Sequence, residues 1–190
     1  MSYPHYTLFL DRDGVINERI PGDYIAHWED FHFTPGTLDA LAFFAKHFQR
    51  IVVVTNQQGI GKGKMSPEQL QHIHENMATE IVNARGRIDG VYHCPDLASV
   101  PNNCRKPASG MAWQAKAEFP DIDFHRSVMV GDSLSDIEFG QNLGMATVLI
   151  EGKMDEVDQI AQAVSNGLRI DHRFNSLQDF AQFLMKTQPQ

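Results

Sequence analysis

Cysteine is nearly absent from these 190 residues: Cys94 and Cys104 are the only two, too few for the disulfide framework of a small secreted scaffold. Basic charge is in deficit, with 16 Lys and Arg against 24 Asp and Glu and a formal net charge of -8. Neutralising a nucleic-acid backbone needs the opposite balance, so no nucleic-acid partner is expected. No apolar run approaches the ~20 residues that span a bilayer. The N-terminus, MSYPHYTLFLDRDG, has no basic n-region and reaches charge before a signal-peptide core can form. Internal repeats, charge blocks and low-complexity tracts are missing as well. What is present is an ordinary globular composition, 42% hydrophobic and 21% charged, at a length that suits one well-buried core. The expectation is a single cytoplasmic, monomeric domain over 1–190, away from membranes.

Short apolar runs recur along the chain, each delivered to a polar or glycine-rich turn: 6–10, 51–54 (IVVV), 90–93, 127–130 (SVMV) and 146–150 (ATVLI). Between them lie segments with helical spacing. The first covers 36–47, with Leu38, Leu41, Phe44 and Phe48 three or four apart. The second opens at SPEQ, where Ser66, Pro67 and Gln69 carry the signals of a capped helix start, and continues to about Ala84. Others cover 109–118, 134–143, DEVDQIAQAVSNG and NSLQDFAQFLMK, the last capped by Asn175 or Ser176. Strand alternating with helix predicts an α/β fold of three layers, α/β/α, with a parallel central sheet covered on both faces. Ligands of such sheets bind beyond the carboxyl ends of the strands. Two long loops, 15–35 and 95–107, are the candidate functional elaborations.

The polar signals gather at those strand ends. The first strand runs into LFLDRDGVINE, which sets Asp11 and Asp13 one residue apart. Two such carboxylates repel unless a positive group joins them, although an isolated Asp-x-Asp-Gly reads equally well as a turn. The second strand ends VVVTNQQGIGKGK: Thr55, Asn56 and three glycines interleaved with Lys62 and Lys64 offer the hydroxyl, amide and backbone N–H groups that suit a phosphate. The fourth ends VMVGDSLSDIEFG, placing Asp132 and Asp136 at a helix start, where acidic caps are also common. Neighbouring parallel strands would bring Asp11, Asp13 and Asp132 into one crevice with Thr55. Three carboxylates need a cation, and hard oxygen ligands suit Mg²⁺ rather than zinc. CRKP supplies Arg105 and Lys106 as the basic complement. His5, His47, His72, His74, His125 and His172 lack ligand spacing and read as non-catalytic, whereas His27 and Trp28, in the first long loop, are candidates for shaping a pocket. Phe43, Phe44, Phe48, Phe180 and Phe183 read as core.

Taken together, DRDGV at 11–15, Thr55 after VVV, Lys106 and GDSLSD resemble, in order and separation, the four motifs of the haloacid dehalogenase (HAD) superfamily of phosphatases. FLDRDGVIN, VVVTNQQGIGKGK, CRKP and VGDSLSD are similar, more narrowly, to the branch containing heptose-1,7-bisphosphate and histidinol-phosphate phosphatases. The resemblance implies a Rossmann-like HAD fold without a large cap domain. It also implies Mg²⁺-dependent hydrolysis of a small phosphorylated metabolite, a sugar bisphosphate foremost and histidinol phosphate as the alternative. Carried to these positions, it makes Asp11 the nucleophile that forms an aspartyl-phosphate and Asp13 the acid and then the base. Thr55 and Lys106 would neutralise the phosphoryl oxygens. Asp11, the backbone carbonyl of Asp13 and Asp132 would hold the metal, with Asp136 in support. Asn17, Asn56, Gln57, Gln58, Lys62 and Arg105 are the expected substrate contacts. A protein of this family that only binds phosphometabolites would be expected to have replaced Asp11 or Asp13, and both are present. Members of the branch usually carry a zinc knot before CRKP; the matching positions here are Cys94, Asp96, Asn102 and Cys104. An asparagine amide is a poor zinc ligand, so structural zinc is not expected, and the cysteines are expected to be free or one of them buried.

Overall fold

The computed structural model describes residues 3–187; the first two and last three residues of the expected 1–190 domain lie outside the described residues. Six strands form one sheet: β1 (Tyr3–Leu10), β2 (Phe48–Asn56), β3 (Gly90–Cys94), β4 (Ser127–Gly131), β5 (Ala146–Ile150) and β6 (His172–Phe174). Their order is β3-β2-β1-β4-β5-β6 and every pairing is parallel. The helices are α1 (Thr37–His47), α2 (Pro67–Asn83), α3 (Gly110–Glu118), α4 (Leu134–Asn142), α5 (Val157–Ser165) and α6 (Leu177–Thr187).

Alternation along the strands sorts the side chains into two layers. Leu8 and Leu10 of β1 join Ile51, Val53, Val128 and Val130 beneath α1, α2 and α6, with Leu41, Phe44, Ile73, Met77 and Phe180 fully or almost fully buried there. Phe9 points the other way and joins Val52, Val54 and Met129 beneath α3 and α4. A third cluster, Ile137, Leu149 and Ile160, ties α5 to the same side. The three-layer α/β/α reading therefore stands, and among the described residues there is no large cap domain: the first long loop holds a 3-10 turn at Trp28–Asp30 and an isolated bridge between Asn17 and Phe33, and the second holds no regular element.

Three local features depart from the sequence reading. Phe48, counted on the first helix, begins β2 instead; it pairs with Tyr3 across the strands and stacks on that ring at 5.3 Å, an interaction the helix could not offer. The three-residue β6 carries no apolar run and had no signal; it exists because its backbone completes the ladder of β5. Cys94 and Cys104, expected to be free or one buried, are joined in a disulfide. β3 delivers Cys94, and the 95–107 loop returns Cys104 with the two Cα atoms 5.5 Å apart, so that the sulfurs bond to each other and are withdrawn from any thiolate zinc site. The capping signals read correctly: Ser66 and Gln69 form a reciprocal capping box on α2, and Ser176 Oγ accepts from Asp179 N at 3.0 Å on α6.

The order of strands positions the site. From β3 at one edge the chain crosses to β4 on the far side of β1, so that the segments after β1 and β4 diverge and leave a crevice at their carboxyl ends. Among the described residues no helix is long and apolar enough to cross a membrane.

Candidate active site

Asp11 is the first residue past β1, fixed by its backbone N–H donating to Val130 O at 2.9 Å on the neighbouring β4. Opposite stands Lys106, 3% exposed, whose ammonium donates to Asp11 Oδ1 at 2.7 Å and Val54 O at 2.7 Å and pairs with Asp136 Oδ1 at 2.6 Å. The backbone of Lys106 is bracketed by Asn56: its N–H donates to Asn56 Oδ1 at 2.9 Å, and Asn56 Nδ2 donates to its carbonyl at 3.4 Å. Asp136, fully buried, turns its second oxygen back to accept from the N–H groups of Asp132 (3.2 Å) and Ser133 (3.0 Å) and from Ser133 Oγ (2.6 Å). This capping box at the start of α4 explains Gly131: a Cβ there would run into the Asp136 carboxyl.

The charges are unevenly compensated. Burial raises the pKa of Asp136, but Lys106 and the Ser133 hydrogen bonds outweigh it and hold the carboxyl below its ordinary range. Asp11 is pushed up to about 6, chiefly by burial and further by Asp136 and Asp13, with Lys106 pulling back. Asp132 is pushed up to about 8 by burial, Asp11 and Asp136, against the pull of Arg19 and Lys153. Carboxyl oxygens of Asp11, Asp132 and Asp136 lie within 4.8 Å of one another. Asp11 and Asp136 share Lys106, and Asp136 is also bound by Ser133; the resemblance assigns the metal to Asp11, Asp132 and the carbonyl of Asp13, an all-oxygen set. That set already draws a cation: Arg19 donates from Nη2 to Asp132 Oδ1 at 2.5 Å and from Nε to Asp13 O at 3.1 Å. These residues fit magnesium.

Asp13 is held by three side chains. Arg12 grips both of its oxygens through Nη2, at 2.8 and 3.1 Å, Asn17 Nδ2 donates to Oδ1 at 3.0 Å, and Gln57 Nε2 to Oδ2 at 2.7 Å. Burial alone would raise this carboxyl; Arg12, Asn17 and Gln57 together bring it below its usual range. These bonds use the N–H groups of the two amides, while Asn17 Oδ1 is buried without a hydrogen-bond partner. Asn17 Nδ2 also donates to Glu18 O, and Gln57 Nε2 also donates to Thr55 Oγ1 at 2.8 Å. Asn17, Asn56 and Gln57, expected as substrate contacts, are thus placed as holders of Asp13, Lys106 and Thr55.

Arg12 and His74 were missed as parts of the site. Arg12 is fully buried, and its Nη1 lies 3.1 Å from His74 Nε2. His74 continues the Leu70, Met77, Ile81 stripe of α2, where an imidazole among apolar neighbours was a legible signal. Burial first and Arg12 second push its pKa down to about 3, so that it accepts from Arg12 as neutral imidazole. A free imidazole titrates near 6.5. With the folded value below the unfolded one, the stability contributed by neutral His74 is complete above pH 6.5 and is lost as pH falls toward 3. His74→Gln keeps an acceptor for Arg12 and removes the titration. Between pH 6 and 4.5 its unfolding free energy is expected to fall less steeply than the wild type's, by up to about 1.4 kcal/mol per pH unit. Parallel profiles in urea titrations would exclude the imidazole from this role.

The crevice opens into a cleft of about 740 Å³ lined by Asp11, Asp13, Thr55, Asn56, Gln57, Gln58, Arg105, Lys106 and Asp136, together with Arg19 and Tyr24 from the first long loop and Lys153, which carried no sequence signal. Asp132 borders the adjoining hollow under β5 and α5. Arg105 presents a buried Nη1 with no hydrogen-bond partner. Lys62 stands outside, donating to Tyr24 OH at 2.8 Å and clasping the two loops of the cleft mouth together. Trp28 does not shape the cleft: it stacks on Phe31 at 4.9 Å and packs edge-on to Phe33.

A carboxylate pair beside a buried lysine lies at the switch point of the parallel sheet, with a second acidic motif capping α4, and similarity to known proteins over nearly the whole length shows that the chain belongs to the HAD-type phosphatases. Residues 103–180 match the HAD-hyrolase-like family. The chain is 40% identical over 176 residues to D-glycero-alpha-D-manno-heptose-1,7-bisphosphate 7-phosphatase of Mycobacterium tuberculosis, covering 93% of this chain and 90% of that protein. It is 34% identical over 191 residues to the corresponding beta-heptose enzyme of Escherichia coli, covering 96% and 95%. The crystal structure of D,D-heptose 1,7-bisphosphate phosphatase from B. bronchiseptica complexed with magnesium and phosphate aligns with a TM-score of 0.82 at 26% identity, over 96% of this chain and 99% of that one.

Proposed function

We propose that this protein is a magnesium-dependent phosphomonoesterase acting on a small phosphorylated sugar, D-glycero-D-manno-heptose 1,7-bisphosphate at its 7-phosphate. The observation that carries the reading is Asp11, a buried carboxylate at the end of β1, held by Lys106 and grouped with the carboxylates of Asp132 and Asp136. The heptose-bisphosphate relatives support the choice of sugar. We read the chain as one monomeric cytoplasmic domain with no nucleic-acid partner.

Asp11 attacks phosphorus and the sugar oxygen leaves, giving an aspartyl-phosphate that water then hydrolyses, two easier displacements in place of one very slow one. Lys106 offsets the repulsion between an anionic nucleophile and an anionic phosphate. Thr55 Oγ1 already accepts from Gln57, so its own proton is free to donate to a phosphoryl oxygen. Asp13, protonated at the first step, gives its proton to the leaving oxygen and, as the carboxylate that the Arg12 clamp favours, takes one back from the attacking water, which closes its cycle. Asp11, Asp132 and the Asp13 carbonyl would hold Mg²⁺, which supplies charge neutralisation at the phosphoryl group. Arg105, with its unpartnered Nη1, and Gln58 face the remainder of the substrate.

The test is phosphate release from a panel of phosphorylated metabolites, including both anomers of heptose 1,7-bisphosphate and histidinol phosphate, ranked by kcat/KM with and without magnesium. Heptose bisphosphate should rank first, and EDTA should abolish its turnover. Release that persists in EDTA would overturn the mechanism; a higher rank for histidinol phosphate would overturn the substrate.

A further inference from the structure

We propose that Arg19 is a built-in competitor for the magnesium position: its guanidinium and the metal are alternative occupants of the same oxygens, and metal binding requires the Arg19 side chain to leave them. The proposal rests on the ligand set given above, Asp11, Asp132 and the Asp13 carbonyl. Arg19 bonds to two of those three, Asp132 Oδ1 at 2.5 Å and Asp13 O at 3.1 Å. Magnesium would take the same oxygens at short range, so metal and guanidinium would be like charges competing for the same atoms.

The surroundings fit an exchange rather than a permanent ion pair. Lys106 pairs with Asp11 and Asp136, so the direct partner of Asp132, 5% exposed, is Arg19, with Lys153 acting from farther off. Gly14 keeps the space open: with φ at 92°, a Cβ on it would run into the Asp132 carboxylate and come within 2.8 Å of Arg19 Nε. Arg19 itself is free to move. Its side chain is 33% exposed, its neighbours Glu18 and Ile20 are exposed, and it lines the wide cleft into which it can swing. No backbone element has to rearrange for the exchange to occur.

Removing the competitor should therefore strengthen metal binding while weakening the protein that has no metal. In calorimetric titrations of the full-length chain with MgCl₂, Arg19→Gln is expected to lower Kd by about tenfold, equivalent to about 1.4 kcal/mol. Its unfolding midpoint in EDTA should fall below the wild type's, and saturating magnesium should close that gap. Asp132→Asn, measured alongside, tests the ligand set itself and should weaken binding. An unchanged Kd in Arg19→Gln with weaker binding in Asp132→Asn would overturn the competition and leave the metal site standing. Unchanged Kd values in both variants would overturn the ligand set, and the competition with it.

Discussion

Asp11→Asn is expected to lower kcat for phosphate release by about 10⁴-fold or more while the protein stays folded, with an unfolding midpoint at or above that of the wild type. The two halves of this outcome have separate causes. An amide cannot form the acyl-phosphate, so the chemistry stops. The replacement is isosteric, and the backbone N–H at position 11 still donates to Val130 O. Stability does not suffer because the ionised carboxylate is an unfavourable tenant: burial, Asp136 and Asp13 push it up to about 6 from an ordinary 3.8, in spite of Lys106. A carboxyl raised on folding destabilises the protein above its folded pKa and ceases to do so as pH falls toward the unfolded value. Wild-type stability should therefore gain a component between pH 6 and 4 that Asp11→Asn lacks. Thermal melts across that range, with phosphate release assayed on the same samples, check both halves. Residual turnover within tenfold of wild type would remove Asp11 as the nucleophile.

That division between chemistry and folding also explains what the sequence made legible. Asp11, Thr55 and Asp132 could be placed because each follows an apolar run, and parallel strands must end on one side of the sheet. Lys106 comes from a loop, and its reach to Asp11 could be carried only by resemblance; the contacts that aim it, Asn56 on both sides of its backbone and Val54 O on its ammonium, depend on how β2 and the 95–107 loop meet in space. The polar residues that hold the site showed only part of their role in the sequence. Asn17 and Gln57 have the chemistry of substrate ligands, and only geometry reveals that Asp13 and Thr55 have already taken their hydrogens. Arg12 and Arg19 had no periodicity to betray them, since each finds its partners through the tight turn and the long loop after β1. β6 and the Cys94–Cys104 bond are likewise products of the finished fold: β6 forms by pairing with β5, and the loop after β3 turns back to bring Cys104 to Cys94, ten residues away.

Lys106→Met should fail in both respects where Asp11→Asn fails in one. Its kcat is expected to fall by about 10³-fold, since in the proposed mechanism the removed charge neutralises the phosphoryl oxygens. Its unfolding free energy should fall by about 3–5 kcal/mol, the usual consequence of stripping one member from a buried ion pair. The lysine is 3% exposed and shared between Asp11 and Asp136, so its loss leaves two carboxylates facing each other without a counter-charge. Adding Asp136→Asn should recover part of the stability: an asparagine carbonyl can still accept the Asp132 and Ser133 N–H groups that cap α4, and it brings no charge. Activity should not return, because the positive charge at the phosphoryl site is still missing. Urea unfolding and kcat on the two single variants and the double variant separate the roles. A double variant no more stable than Lys106→Met would mean that the lysine supports the fold through Val54 O and its packing, with charge pairing to Asp136 contributing little.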